Sequence, residues 1–237
     1  MSLLPGVSVR FRVDVGADKA TIPWRDVFGP ARAVAYELIR GQDADLAEEL
    51  HGRGYAGSSL RPLGLSSPYF RGPARGHDVY RASKDGTVWF GSPVPRIAGA
   101  LLAGLAGRRQ LRWGSVELDV HGVQLESTPD HSSGETVFST VTPVLARYED
   151  RYIFPDHPAF VATLVHNLSH KADVLGLPNE VEFEVLSAGP PRKFFVQHTP
   201  RHGCVVRARV HAAPALLDAL YDWGLGLGTN QGFGWIR

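Results

Sequence analysis

Apolar and polar residues alternate through VSVRFRVDV (residues 7–15), placing Val9, Phe11, Val13 and Val15 on one face, the period of a half-buried strand. The period then lengthens. In PARAVAYELIRG, Ala33, Tyr36 and Ile39 recur at helical spacing, with Pro30 suited to the first turn and Gly41 to the stop. DADLAEELHGRGY predicts a second short helix, capped by Asp43 or Asp45 and ended by Gly52 just after His51. Short strands are expected near residues 60–67 and 86–93, a helix over 96–106, and strands in LRWGSVELDVHGVQLES and ETVFSTVTPVLARY.

The second half repeats this order. HPAFVATLVHNLSHKADVLG (157–176) is an amphipathic helix opened by Pro158 and closed by Gly176. VEFEVLS and KFFVQHTPRHGCVVRARVHA read as strands, the latter turning near Pro200–Gly203; APALLDALYDWG is a helix, and FGWIR a short last strand. Each half therefore predicts β-α-β-β-α-β, the ferredoxin-like or RRM-like pattern. The expected class is α+β, as tandem ferredoxin-like domains over residues 1–130 and 131–237, divided near 126–136 where STPDHSSGET is rich in turn formers. The halves share element order but no obvious sequence.

Composition narrows the setting. With 237 residues, 43% of them hydrophobic and 21% charged, the chain can bury a real core. No run of eighteen apolar residues predicts a membrane span, and MSLLPGVSVRFRVDV lacks a basic leader and a cleavage site. Cys204 is the lone cysteine, which excludes an internal disulfide and fits a reducing cytoplasm. A net charge of +1 is low for a nucleic-acid binder, yet only the contacting face must be positive. Arginines gather at Arg71/Arg75/Arg81, Arg108/Arg109/Arg112, Arg192/Lys193 and Arg201/Arg207/Arg209, each of which, taken singly, reads as a solvated face.

The chain ends in WGLGLGTNQGFGWIR. This is not a nucleotide-hydrolase phosphate loop: GxxxxGK[ST] is absent and the stretch has no Lys. It follows a helix instead of opening one, so the adjacent dipole presents its negative end. Anion binding would need a nest of backbone N–H groups, and the plain structural reading is a Gly-capped turn into a strand. The spacing is more specific: Gly224 and Gly226 bracket one apolar residue, five residues follow, and Gly232 and Gly234 bracket another.

That pattern resembles the C-terminal glycine-rich loop of the CRISPR-associated repeat-RNA endoribonucleases, the Cas-six family of the RAMP superfamily. LDALYDWG is similar to the family's last helix, FSTVTPVLAR (138–147) to the strand opening its second domain, and LAEELHGRGY (46–55) to its Leu-His-…-Gly-Tyr stretch. These matches, in the expected order, span most of the chain. The resemblance implies two ferredoxin-like domains and cleavage of CRISPR precursor RNA within each repeat, without metal or other cofactor. The 2′-hydroxyl attacks its own phosphodiester, leaving 2′,3′-cyclic phosphate and 5′-hydroxyl ends. Such chemistry needs a base for the 2′-OH, an acid for the leaving 5′-oxygen and charge stabilisation at phosphorus. It also implies a catalytic pair, His51 with Tyr36 fifteen residues earlier. Gly57 stands where some relatives have a lysine, leaving the third member open, with Arg53 or Arg61 as alternative sources of charge.

Residue chemistry supplies the rest. An imidazole exchanges protons near neutral pH, so His51 suits either acid or base, and a phenol at Tyr36 can hydrogen-bond a phosphate oxygen. Arg192, Lys193, Arg201 and Arg207 are expected to contact RNA backbone, with Gly224, Gly226, Gly232 and Gly234 supporting it and at least one of Phe194 and Phe195 in the core. His166 and His170 share a helical face near His157 and, without an HExxH glutamate, read as a polar face; His198, His202 and Cys204 crowd a hairpin turn, where a zinc site would need a fourth ligand that the sequence does not show. The expected partner is repeat RNA, in a CRISPR effector complex or as a homodimer, with no membrane. Two rival readings are a non-catalytic RNA-binding subunit of the same superfamily and a ferredoxin-like module for a small ligand.

Overall fold

The computed structural model describes residues 9–72 and 79–237, so the first two residues of the expected opening strand, and Arg75, lie outside the described part. The first half comprises β1 (Val9–Ala17), β2 (Thr21–Pro23), α1 (Arg25–Phe28), α2 (Ala31–Arg40), α3 (Ala44–Gly52), β3 (Gly64–Leu65), β4 (Tyr69–Phe70), β5 (Val79–Arg81), β6 (Gly86–Ser92), α4 (Pro95–Leu105), β7 (Gln110–Trp113) and β8 (Val116–Glu126). The second comprises β9 (Glu135–Ser139), β10 (Ala146–Tyr148), β11 (Arg151–Ile153), α5 (Phe160–Leu175), β12 (Val181–Ala188), β13 (Arg192–Val196), β14 (Thr199–Gly203), β15 (Val206–Ala212), α6 (Pro214–Trp223) and a 3-10 turn at Thr229–Gln231.

The larger sheet runs β3-β6-β1-β8-β7, and the smaller β12-β15-β9. Beyond β9, Arg237 and Ser139 exchange backbone hydrogen bonds and Ile236 bridges Thr140, so the C-terminus serves as a fourth strand. Both halves thus adopt the ferredoxin-like arrangement, with the first strand between the third and fourth. The signals behind these elements are local: Asp43 accepts from the Leu46 N–H at 3.0 Å to start α3, and Gly176, at φ +66°, closes α5 in the left-handed conformation.

Three expectations need correction. KFFVQHTPRHGCVVRARVHA holds three strands, and the first turn lies at Gln197–His198, both at positive φ, while Pro200–Gly203 is extended in β14. LRWGSVELDVHGVQLES is the hairpin β7–β8, and ETVFSTVTPVLARY holds two short strands, β9 and β10, with residues 140–145 between them. Phe233 does not join the last strand on the second sheet. Its ring stacks on Phe28 at 4.4 Å and meets Phe194 edge-on at 5.8 Å, inside the first core.

The two halves interlock. Leu145, Val196 and Phe233 belong to the first hydrophobic core, whereas Trp223 and Asp222 bring the end of α6 onto the first sheet. Gly64 and Gly91, paired across β3 and β6, form a notch: a Cβ on either would lie 2.3 or 2.5 Å from the Asp222 carbonyl oxygen. Close by, Arg10 of β1 is 2% exposed and its guanidinium lies 4.1 Å from both the Tyr221 and Trp235 ring centroids. It donates to the Glu126 carboxylate at 2.7 Å and the Tyr221 carbonyl at 2.8 Å. Burial pulls the Arg10 pKa below its ordinary value, with Tyr221 and Glu126 opposing.

Lys171 of α5 completes this junction. Its ammonium is fully enclosed, donates to the Gly224 carbonyl at 2.8 Å and lies 4.9 Å from the Trp223 ring centroid. Burial pushes its pKa from 10.5 down to about 7. Between those values the unfolded chain binds more protons than the folded one, so stability is expected to rise with pH. The slope approaches about 1.4 kcal/mol per pH unit between pH 7.5 and 9.5. Urea midpoints across that range should show the rise, and Lys171→Met should flatten it; an equal slope in the variant removes Lys171 as the source.

Candidate active site

The site forms where α2, α3 and the glycine-rich loop meet. Leu46, Ala47 and Leu50 turn the apolar face of α3 into the core, so His51, one residue on, faces solvent in the last turn. Asp43 also grips Arg96 through two hydrogen bonds of 2.8 and 3.0 Å, anchoring the helix at its other end. Tyr36, on the neighbouring helix, is 6% exposed; its hydroxyl donates to the Leu50 carbonyl at 3.2 Å. Its ring stands edge-on to the His51 imidazole, centroids 5.6 Å apart and planes at 88°. Burial raises the Tyr36 pKa, opposed by Arg61, Arg32 and a hydrogen bond with Asn230, so the phenol keeps its proton at neutral pH.

Arg61 sits at the centre of this group. Its guanidinium donates to the carbonyls of Leu50 (2.7 Å), His51 (3.0 Å) and Ser59 (2.8 Å), tying the end of α3 to the loop that follows. It closes the helix C-terminus and leaves Arg53, exposed nearby, as the freer cation. Gly57 is exposed at φ +77° on the turn, so a lysine there would pay the left-handed cost for L-residues.

Two contributors escaped the sequence reading. Arg32 lies one helical turn before Tyr36 and reaches Gln197 of the β13–β14 hairpin at 3.4 Å. Asn230 comes from the 3-10 turn of the terminal loop, far away in sequence. Helical spacing alone sets Arg32 beside Tyr36, whereas only the fold could bring Asn230 there, although an amide inside the glycine repeat was a visible hint.

The glycines themselves look inward. Gly224, Gly226, Gly232 and Gly234 are buried at positive φ, and a Cβ on Gly234 would lie 1.8 Å from the Leu225 carbonyl oxygen. The N–H groups of Gly224, Leu225, Leu227, Gly232, Phe233 and Gly234 all donate to carbonyls of this chain. The glycine pattern is therefore accounted for by a tight fold-back that presents Asn230.

The remaining expected contacts are spread over the second half. Arg192 and Lys193 are exposed on β13, Arg201 is half-buried on β14, and Arg207 is exposed on β15. Arg209 shares the outward face with Arg207 but is held by Glu135 and Glu184. Phe194 is partly buried and packs against the first core, while Phe195 is 43% exposed with Lys193 5.0 Å from its ring centroid. Among the described residues no group of three His, Cys, Asp or Glu gathers to hold a metal, and Cys204 is buried. No described helix is long and apolar enough to cross a membrane.

Sheet order, interlocked cores and loop define a tandem ferredoxin-like protein. Two solved structures share that fold over 97% of this chain and 98% of theirs. One is described as a Cas6-related gene product from Pyrococcus furiosus (TM-score 0.82, 15% identity), the other as a RAMP protein binding different RNA substrates (TM-score 0.80, 17% identity). The family described as CRISPR associated protein Cas6, C-terminal, matches residues 126–237. The CRISPR-associated endoribonuclease Cas6 of Pyrococcus furiosus is 27% identical over 217 residues, 87% of this chain and 80% of that protein. The second half of the chain thus matches the Cas6 C-terminal domain, and the chain as a whole is similar to a Cas6 endoribonuclease.

Proposed function

We propose that this protein cleaves CRISPR repeat RNA in the cytoplasm by attack of the 2′-hydroxyl on the adjacent phosphodiester, releasing 2′,3′-cyclic phosphate and 5′-hydroxyl ends. The observation that carries the reading is the exposed His51 imidazole, held edge-on by Tyr36 at a junction both halves build. The nucleophile belongs to the substrate, so the protein must only move protons and steady charge. His51 exchanges a proton with the 2′-oxygen or the leaving 5′-oxygen. Tyr36, its hydroxyl committed to the Leu50 carbonyl, acts as a positioning residue that fixes the imidazole.

Arg53 and Arg32 supply positive charge beside the pair, and Arg61 holds the end of α3 in place. Arg192, Lys193, Arg201 and Arg207 carry the RNA backbone further along, with Phe195 available to stack a base. The glycine-rich loop supports this surface through Asn230, and the division between domains falls at residues 130 and 131.

Repeat RNA labelled at each end, incubated with pure protein in excess chelator, should yield a cyclic-phosphate product at one bond. RNA bound but left intact would overturn the catalytic reading and select a non-catalytic RNA-binding subunit. Weak binding without a salt-dependent affinity would point instead to a small-ligand module.

A further inference from the structure

A cavity of about 210 Å³ opens beside the His51 turn, between α5 and the loop that follows α3. Its walls include Leu60, Arg147, Asn167, His170 and Leu227. It adjoins the Tyr36–His51 pair through shared parts. The Arg61 guanidinium spans from the His51 carbonyl to that of Ser59, a wall residue. Leu227, another wall residue, lies three positions before Asn230 in the glycine-rich loop, and the Ser58 hydroxyl joins the loop to His170 at 3.1 Å.

We propose that this cavity takes one base of the RNA near the cleaved bond, read by the side-chain amide of Asn167. Three observations support it. The Asn167 Oδ1 is buried with no hydrogen-bond partner in the structure, an unmet acceptor on a residue of the cavity wall. A carboxamide presents an acceptor and a donor side by side, the complement of a base edge. Leu60 and Leu227 offer apolar contact to the faces of a ring, and Leu227 is 36% exposed. Arg147, half exposed and paired only weakly with the solvent-borne Asp150, can exchange that partner for a phosphate oxygen. Unpaired RNA is recognised in this way, by a splayed base and a nearby backbone contact.

This inference rests on the repeat-RNA reading, and its test separates the two. Repeat RNAs carrying each of the four bases at each of three positions on either side of the mapped bond are cleaved under single-turnover conditions. The native protein should prefer one base at one position by roughly 5–150-fold, the usual worth of a bidentate side-chain–base pair. Asn167→Ala should level that preference alone, leaving the rate on the least favoured base unchanged. Asn167→Asp, nearly isosteric but accepting only, should shift the preference toward a base that offers a donor. Equal slowing on every RNA, or an unaltered ranking, would overturn the subsite. If no RNA is cleaved, the endoribonuclease reading fails instead, and the same ranking by equilibrium binding decides the subsite on its own.

Discussion

Replacing His51 with alanine is expected to slow single-turnover cleavage of repeat RNA by roughly 10²–10⁴-fold, the range for removing a positioned acid or base. The side chain faces solvent at the end of α3, and the helix is anchored independently by Leu50, Asp43 and Arg61. The variant should therefore fold, and bind RNA within a few-fold of the native protein, because the exposed cations remain. Tyr36→Phe supplies the contrast. It keeps the ring against the imidazole but loses the hydroxyl's bond to Leu50, so its effect should be no more than about tenfold, one ordinary hydrogen bond. Native-rate cleavage by the His51 variant would remove His51 from the chemistry.

Arg10→Ala is expected to be the most damaging change away from the site, costing about 3–5 kcal/mol of stability, the usual loss when one partner of a buried ion pair is removed. Arg10 fills the space between Tyr221 and Trp235, pairs with Glu126 and donates to a main-chain carbonyl, so truncation opens a gap and strands a carboxylate. The Trp89 indole N–H still donates to Glu126, which tempers the loss. Arg10→Lys should rescue little, since an ammonium lacks the planar fork that stacks and donates in two directions. Urea denaturation gives the measurement; a loss below about 1 kcal/mol would show that the halves are held together by other contacts.

The helices around the site were legible because their signals are short-range. Tyr36 and His51 sit on two amphipathic helices whose inward faces follow a 3.6-residue period, and Asp43 caps the second as its position suggests. The β13–β14 turn was misplaced for an equally local reason. Gln197 and His198 adopt positive φ without glycine, while the expected turn formers sit extended in a two-stranded ribbon, Pro200 exposed and Gly203 buried against the Val144 carbonyl. The Gly64–Gly91 notch was invisible, since nothing in either strand announces that another helix ends above it.

The sequence by itself determined the element order, the two ferredoxin-like units and the placing of His51 at a solvent-facing helix end, all consequences of periodicity and capping. Only the tertiary structure decided what the terminal glycines are for. Their conformations and missing Cβ atoms let the chain fold back against Leu145 and Leu225, send Phe233 into the first core and Trp235 over Arg10, and deliver Asn230 to Tyr36. The physical reason is range: a turn or a cap is encoded within four or five residues, whereas a close approach is fixed by a surface distant in sequence.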